Sequence, residues 1–359
     1  MKRFFLSLIL LAFSCGDSTG PHVEGYTVIP AESPQPRGNR LFGINPLESD
    51  QGFTASFEKA MEAGIQVVEV NLMWNEIEPS QGVYQDPYGI LEAITFYGYQ
   101  DIEVLLTISV INTVKTTVPD YLQGYQFSSP DMVASFNAMA DWVFSQIDPS
   151  VIVAGFSIGN EIDIYLSGQA SWLDYTQFYQ ETATHSRQQR PFTPVGVKCT
   201  VTGGLLGGEE AEIQNINAYS DVVMLNYYPN GVQFTVLDPE VVHEHFDSIA
   251  ESFPGEEIWM TELGYQSGSA YCGSSETIQA QFYHEMFTAW DDHRDQISLV
   301  LVDWLHDASD EQVAEWTDYY GLSDPAFVEF LATLGLRNHN HTDKFAWLQV
   351  LEETGARGW

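Results

Sequence analysis

The chain is poor in cations. Lysine and arginine total 13 against 50 aspartates and glutamates, a formal charge of −37 over 359 residues. Neutralising phosphates needs a basic footprint, so nucleic acid is excluded as a partner. Polyanionic glycans are disfavoured unless a local basic pocket overrides the global field. Cysteine is also scarce, and the three residues Cys15, Cys199 and Cys272 cannot make a disulfide scaffold. Cys199 ends strand five and Cys272 lies in the loop after strand seven, so a bond between them would need that loop to reach across, and the sequence leaves their pairing open. No metal-ligand pattern is present: His339 and His341 flank Asn340 in a polar stretch, and two histidines alone do not make a site. No EF-hand spacing occurs either, so neither metal nor cofactor is expected. Long apolar runs are missing, because the stretch Phe4 to Phe13 is too short for a permanent membrane span.

Hydrophobic residues make up 44% and charged residues 18%, which is a globular composition. Aromatics reach 13%, so neutral ligands with flat apolar faces come into view at once. Lys2 and Arg3 followed by the short apolar run read as a signal peptide over residues 1–14, hence as export. Leu11-Ala12-Phe13-Ser14-Cys15 resembles a bacterial lipoprotein signal, which implies lipidation at Cys15. It departs from that pattern in having Ala12 where leucine is usual. The resemblance implies membrane contact through the lipid anchor only, at an outer membrane or cell surface, with plain secretion as the alternative. Residues 15–38 hold Gly, Pro, Ser and Glu without apolar period and read as a tether.

From Arg40 onward a short apolar run, a loop and an amphipathic stretch recur. The runs are Leu41 to Asn45, Gln66 to Met73, Ile102 to Ile108, Val151 to Ile158, Pro194 to Val201, Asp221 to Leu225, Glu257 to Met260 and Ile297 to Trp304. Between them lie helix patterns such as Met132 to Ile147, with Met132, Phe136, Met139 and Val143 at three- and four-residue steps. Near-continuous apolar strands alternating with helices indicate parallel strands buried on both faces. Eight units in about 320 residues predict a single-domain α/β fold, a (β/α)8 TIM barrel over residues 39–359, closed by a last helix near Asp343 to Glu353. An open doubly wound sheet is disfavoured, because no Gly-rich phosphate fingerprint follows the first strand. A monomer is expected.

Chemistry in such a barrel sits just past strand C-termini. The fourth strand runs into Gly159-Asn160-Glu161 and the seventh into Thr261-Glu262. An acid at the end of an apolar strand costs free energy unless something pairs or uses it. The only lysine or arginine in strands four to seven is Lys198. Two carboxyls flanking one bond are the equipment of glycoside hydrolysis, one protonated to serve the leaving oxygen and one ionised.

Ile158-Gly159-Asn160-Glu161 after strand four, with Thr261-Glu262 after strand seven, resembles clan A of the glycoside hydrolases over the whole barrel in strand order. The resemblance implies Glu161 as acid/base, Glu262 as nucleophile, Asn160 as a contact to the sugar 2-hydroxyl, and Trp304 as the floor of the subsite beside the cleaved bond. Trp74-x-x-Ile77-Glu78-Pro79, Gly82 and Tyr84 are similar to the clan's loop after strand two. Asn226-Tyr227-Tyr228-Pro229 resembles the corresponding run of endo-β-1,4-galactanases, and Glu262-Leu263-Gly264-Tyr265 that of galactanases and a small β-mannanase family. By position in the clan, Tyr228 would hydrogen-bond the nucleophile. The chain departs from the large cellulase and mannanase family, which has a histidine where Asn226 stands, and from the galactanases, which carry an arginine on strand two.

The resemblance thus implies a retaining, endo-type β-glycoside hydrolase for a neutral β-galactan, β-mannan or related glycan. Trp74, Tyr227, Tyr228, Tyr265 and Trp304 fall at strand ends and are candidate sugar contacts, with Asn160, Asn226 and His306 for hydroxyls. The segment Asp307 to Asp324, with Trp316, Tyr319 and Tyr320, is expected to wall the cleft, and Glu76 and Glu78 to shape a loop. An inactive glycan-binding lipoprotein and a transglycosylase using the same two glutamates are the alternatives.

Overall fold

The computed structural model describes residues 25–359, so the signal peptide and the lipidation site at Cys15 lie outside the described residues. Eight strand positions follow one another around a barrel: β1 (Leu41–Ile44), β2 (Val67–Met73), β3 (Glu103–Asn112), β4 (Val153–Asn160), β5 (two pieces, Val195–Gly196 and Lys198–Thr200), β6 (Val223–Tyr227), β7 (Ile258–Leu263) and β8 (Ile297–Val302). All neighbours in this ring pair in parallel. The ring closes at β5, whose first piece pairs with β4 and whose second pairs with β6. This is the expected TIM barrel. The one antiparallel addition is a hairpin piece, Lys115–Thr116, folded back on the end of β3.

Strand periodicity divides the barrel interior into layers. Val67, Leu105, Met224, Trp259, Leu299 and Leu301 form an apolar cluster of their own, separate from the larger core. Two residues further along their strands stand Glu69, Thr107, Asn226 and Asp303. In β5 the same step leads from Gly196 to Lys198. Gly196 is required by close packing, because a Cβ there would meet the Met224 side chain at 2.9 Å and the Val222 carbonyl oxygen at 2.8 Å. An apolar layer therefore carries a polar one facing the C-terminal mouth.

Outside the strands, helices pack on the barrel through the large core. Pro130–Gln146 is the helix expected over Met132 to Ile147; Ser129 caps it and Pro130 occupies its first turn. The last helix is Phe345–Arg357, longer at its C-terminal end than expected. No helix among the described residues is long and apolar enough to cross a membrane.

The expected tether is shorter than the sequence suggested. Tyr26 is buried, stacks on Phe345 at 4.7 Å and donates its hydroxyl to Gln349 Oε1 at 2.8 Å. The chain therefore joins the barrel from Tyr26 rather than from residue 39. Asp291 fixes this segment: it pairs with Arg40 and Arg357 at 2.8 Å each and accepts from the Gln35 backbone N–H at 3.0 Å. Removing one partner of a buried pair leaves the others uncompensated. Asp291→Ala should lower unfolding free energy by about 3–5 kcal/mol in denaturant titration. A loss below about 1 kcal/mol, the size of an exposed pair, would show that the network is dispensable.

Candidate active site

Glu161 and Glu262 meet at the C-terminal mouth. The chain turns sharply after β4: Gly159 has φ +100°, and a Cβ there would lie 2.5 Å from the Tyr175 hydroxyl. Glu161 itself adopts a left-handed conformation, φ 48°, unusual for a residue with a side chain. The Asn160 carbonyl anchors the turn by accepting from Thr113 N–H at 3.0 Å. The Glu161 carboxyl, 9% exposed, accepts from Thr113 Oγ1 at 2.8 Å and from Asn226 Nδ2 at 3.2 Å. Asn226 also donates to Asn160 Oδ1 at 3.2 Å, and Asn160 Nδ2 donates to Asn112 Oδ1 at 3.0 Å. A chain of amides thus sets the acid and the expected hydroxyl contact side by side.

Glu262 reaches the same mouth through a break in register. Leu225 lies opposite Met260, but Asn226 lies opposite Glu262, so β7 carries one extra residue here. Such a bulge re-aims a side chain by changing which residue faces inward. Tyr228 donates its hydroxyl to Glu262 Oε2 at 3.0 Å, and Lys198 Nζ lies 3.1 Å from Glu262 Oε1. Lys198 also contacts Glu69 Oε1, which accepts from Thr107 Oγ1 at 2.8 Å. Asp303 stands on the other side, bonded by Asn45 and 3.5 Å from the Tyr228 hydroxyl.

These surroundings divide the acids. Burial, and then the charge of Glu262, push Glu161 up to about 8, so it holds its proton at neutral pH. Burial and the charges of Glu262 and Glu69 push Asp303 well above the ordinary carboxylate range. Burial alone would drive Lys198 down, yet the carboxylates of Glu69 and Glu262 outweigh it and hold the ammonium above its usual value. The result is a carboxyl at Glu161 that holds its proton and, at Glu262, a carboxyl faced by an ammonium and a phenol.

The pair opens into a cavity of about 620 Å³, lined also by Asn160, Asn226, Tyr228 and Trp304. Trp304 is backed by Trp316 in a stack at 4.6 Å. The cavity is closed on one side. Helix Asp310–Tyr320 leaves β8 and crosses the mouth to β3, where Tyr319 accepts from Asn112 Nδ2 and donates to the Asn112 carbonyl, both at 3.0 Å. Lys115 Nζ sits 4.1 Å over the same ring. The cavity wall draws on the loops after β3 to β8 and, among the described residues, on none after β1 or β2. The wall expected from Asp307 to Asp324 is therefore present.

Four expected contacts are not at the cavity. Trp74 is fully buried; its indole donates to Glu78 Oε2 at 2.9 Å and packs on Phe136. Glu78 also accepts from Gly82 N–H and the Tyr121 hydroxyl, which is the expected loop-shaping role. Tyr227 points outward to His245 at 2.9 Å, because neighbours on a strand face opposite ways and Asn226 faces in. Tyr265 stacks on Phe282 and donates to the Leu237 carbonyl. His306 is buried between the Leu47 carbonyl and Arg337, and burial pushes it down to about 4. Cys199 and Cys272 are both free and buried. No cluster of metal-ligating side chains occurs among the described residues.

Sequence reasoning missed Glu69, Asp303, Thr113 and Asn112 as parts of the site, and noted Lys198 only as a rare cation. The signal that found the two glutamates, a charge inside an apolar strand, is equally present in Val67-Val68-Glu69-Val70 and Leu301-Val302-Asp303-Trp304.

No family model and no curated protein sequence matches the chain. Solved structures match it well. An exo-β-1,4-mannosidase from Opitutaceae bacterium strain TAV5 superimposes with TM-score 0.70 at 15% identity, over 95% of this chain and 62% of that one. A GH5_18 protein from Streptomyces cattleya, solved with Manβ1-4GlcNAc, gives 0.68 at 15% identity over 88% and 80% of the two chains. A family 39 glycoside hydrolase from Bacteroides cellulosilyticus WH2 gives 0.61 at 15% identity, over 91% and 66%. The chain therefore shares the (β/α)8 fold of these glycoside hydrolases, and its two glutamates stand after strands four and seven. It spans less than two thirds of the Opitutaceae enzyme's length.

The raised value at Glu161 sets a direction for pH. Were Glu161 the general acid, as proposed below, it would have to be protonated, and kcat/KM should fall as pH rises through about 8. The Thr113 hydroxyl favours the charged form of Glu161, so Thr113→Val should move that alkaline limb up by about half to one pH unit. A limb that stays in place in Thr113→Val would detach it from Glu161.

Proposed function

We propose that the protein is a retaining β-glycosidase that removes sugar units from the ends of short, neutral, β-mannoside-type oligosaccharides. The observation that carries the reading is the paired environment of Glu161 and Glu262: one buried carboxyl holding its proton, one carboxylate faced by Lys198 and Tyr228. Glu262 attacks the anomeric carbon while Glu161 protonates the departing oxygen; water then attacks the glycosyl-enzyme and gives its proton to Glu161. Asn160 and Asn226 bind hydroxyls, and Trp304 offers its face to the apolar side of the ring.

End-directed action is supported by the helix that crosses the mouth from β8 to β3. An endo-acting groove, expected from the likeness to galactanases, must let a polymer run through in both directions, whereas here the helix after β8 reaches β3 through Tyr319 and Asn112. Mannoside-type substrates are supported by the solved structures it resembles, an exo-β-1,4-mannosidase and GH5_18 proteins holding Manβ1-4GlcNAc. Export with a lipid anchor at Cys15 fits an enzyme that meets oligosaccharides outside the cytoplasm.

The test is a panel of Manβ1-4GlcNAc, β-1,4-manno-oligosaccharides, β-1,4-galactan and mannan, with product sizing and proton NMR of the first anomer. Release of single sugars as the β anomer, with little early loss of polymer viscosity, is expected. Mixed-length products and a rapid viscosity fall would establish endo cleavage instead. A first product of α configuration would remove the retaining mechanism, and binding without turnover would leave a glycan-binding protein.

A further inference from the structure

Lys198 is the one lysine or arginine, among the described residues, that pairs with any acid of this site. It is fully buried, and its ammonium bridges Glu262 Oε1, at 3.1 Å, and Glu69 Oε1. Glu69 takes no part in making or breaking bonds to the sugar. A buried ion pair is weak evidence for stability, since apolar side chains of similar volume often serve as well. Two acids around one buried ammonium are harder still to justify by stability. β2 itself carries no lysine or arginine, so the charge beside Glu262 comes from β5 and is anchored on β2 by Glu69.

We propose that Lys198 is a positioning residue for the charge of Glu262: its ammonium, held in place by Glu69, keeps the attacking carboxylate anionic and receives it again when the glycosyl-enzyme is hydrolysed. This rests on the retaining reading above. In the first step a Glu262 oxygen bonds to the anomeric carbon, the bond to the leaving oxygen breaks, and the Glu161 proton goes to that oxygen. Glu262 is then a neutral ester and Lys198 faces one charge, that of Glu69. In the second step a water oxygen bonds to the anomeric carbon, the ester C–O bond breaks with its electron pair returning to Glu262, and the water proton passes to Glu161. Negative charge regrows beside a fixed ammonium in a site screened from water, where such an interaction counts most. In the first step the same ammonium restrains the nucleophile while keeping it ionised. Its loss therefore weighs more on the second step, and the intermediate should accumulate.

The groups that face Glu262 are Lys198 from β5, Glu69 from β2, Tyr228 after β6, Asp303 after β8, Glu161 after β4 and Tyr320 from the crossing helix. Glu161 and Asp303 are pushed towards their neutral forms, and the two phenols stay protonated. Burial pushes Glu69 up as well, while the ammonium it contacts pulls it down; the ammonium and the Glu69 carboxyl act on Glu262 in opposite directions.

That opposition makes the test. In Lys198→Met the acidic limb of kcat/KM should rise by about one pH unit or more. In Glu69→Gln, which frees the ammonium for Glu262 alone, it should fall. With an aryl glycoside of good leaving ability, Lys198→Met should show a burst of released phenol. The double variant Lys198→Met/Glu69→Gln rebalances the buried charge and should fold as the unmodified protein does by circular dichroism, yet keep the raised limb. A structural role alone would lower rates or melting temperature without moving the limbs apart. Carbon-13 NMR of labelled glutamate carboxyls, with Glu262 assigned through Glu262→Gln, reads the same opposed movements without substrate. Absence of turnover would thus overturn the glycosidase reading while the titration still decides the role of Lys198. Limbs or resonances that stay in place, or move together, would overturn it.

Discussion

A carboxylate stays charged in the water-poor upper half of a barrel only where a cation or strong donors face it. At Glu262 the ammonium of Lys198 and the phenol of Tyr228 meet that condition, one on each oxygen. Much of the barrel is arranged around this contact. Gly196 lets Met224 pack beneath Lys198, and Thr107 bonds the Glu69 carboxylate that holds the ammonium from the other side. The extra residue in β7 turns Glu262 towards both partners. The apolar layer below, with Trp259 and Leu301 among its members, shuts water out from the N-terminal end.

The same physics separates Glu161 from Glu262. Glu161 has amide and hydroxyl partners but no cation, and the nearby charge of Glu262 opposes its ionisation. Two glutamates at equivalent strand ends are thus set apart by their neighbours, one holding its proton and the other faced by a cation. Asp303 follows Glu161 in kind: deep burial and the charges of Glu262 and Glu69 push it towards its neutral form, against the bond from Asn45. A site with four acids and one ammonium therefore carries far less charge than its composition suggests.

The eight strands were legible because each is buried on both faces and so reads as a nearly unbroken apolar run. Glu161 and Glu262 were legible because each ends such a run. Glu69 was not, because it stands inside its strand, where the same signal was not sought. Tyr227 and Tyr228 could not be told apart by composition; one faces outward to His245 and the other inward to Glu262, and that depends on the phase of a strand end. Trp74 was misplaced because a strand-end tryptophan says nothing of the Glu78 that engages its indole. The Tyr319–Asn112 contact that walls the cavity spans 207 positions and leaves no local trace. The distribution of cations was hidden for the same reason. Arg40, Lys198, Arg337, Lys344 and Arg357 are all buried against acids, so nearly half of the few cations among the described residues serve the interior.

The central claim is that Glu262 forms a covalent bond to the sugar. A 2-deoxy-2-fluoro-β-mannosyl fluoride slows both steps, the second more, and traps such an adduct. Mass spectrometry of the digested protein should find one added fluorosugar on the peptide containing Glu262, and none in Glu262→Gln. An adduct on Glu161, Glu69 or Asp303 would contradict the account, as would an enzyme that turns over β-mannosides but is never labelled.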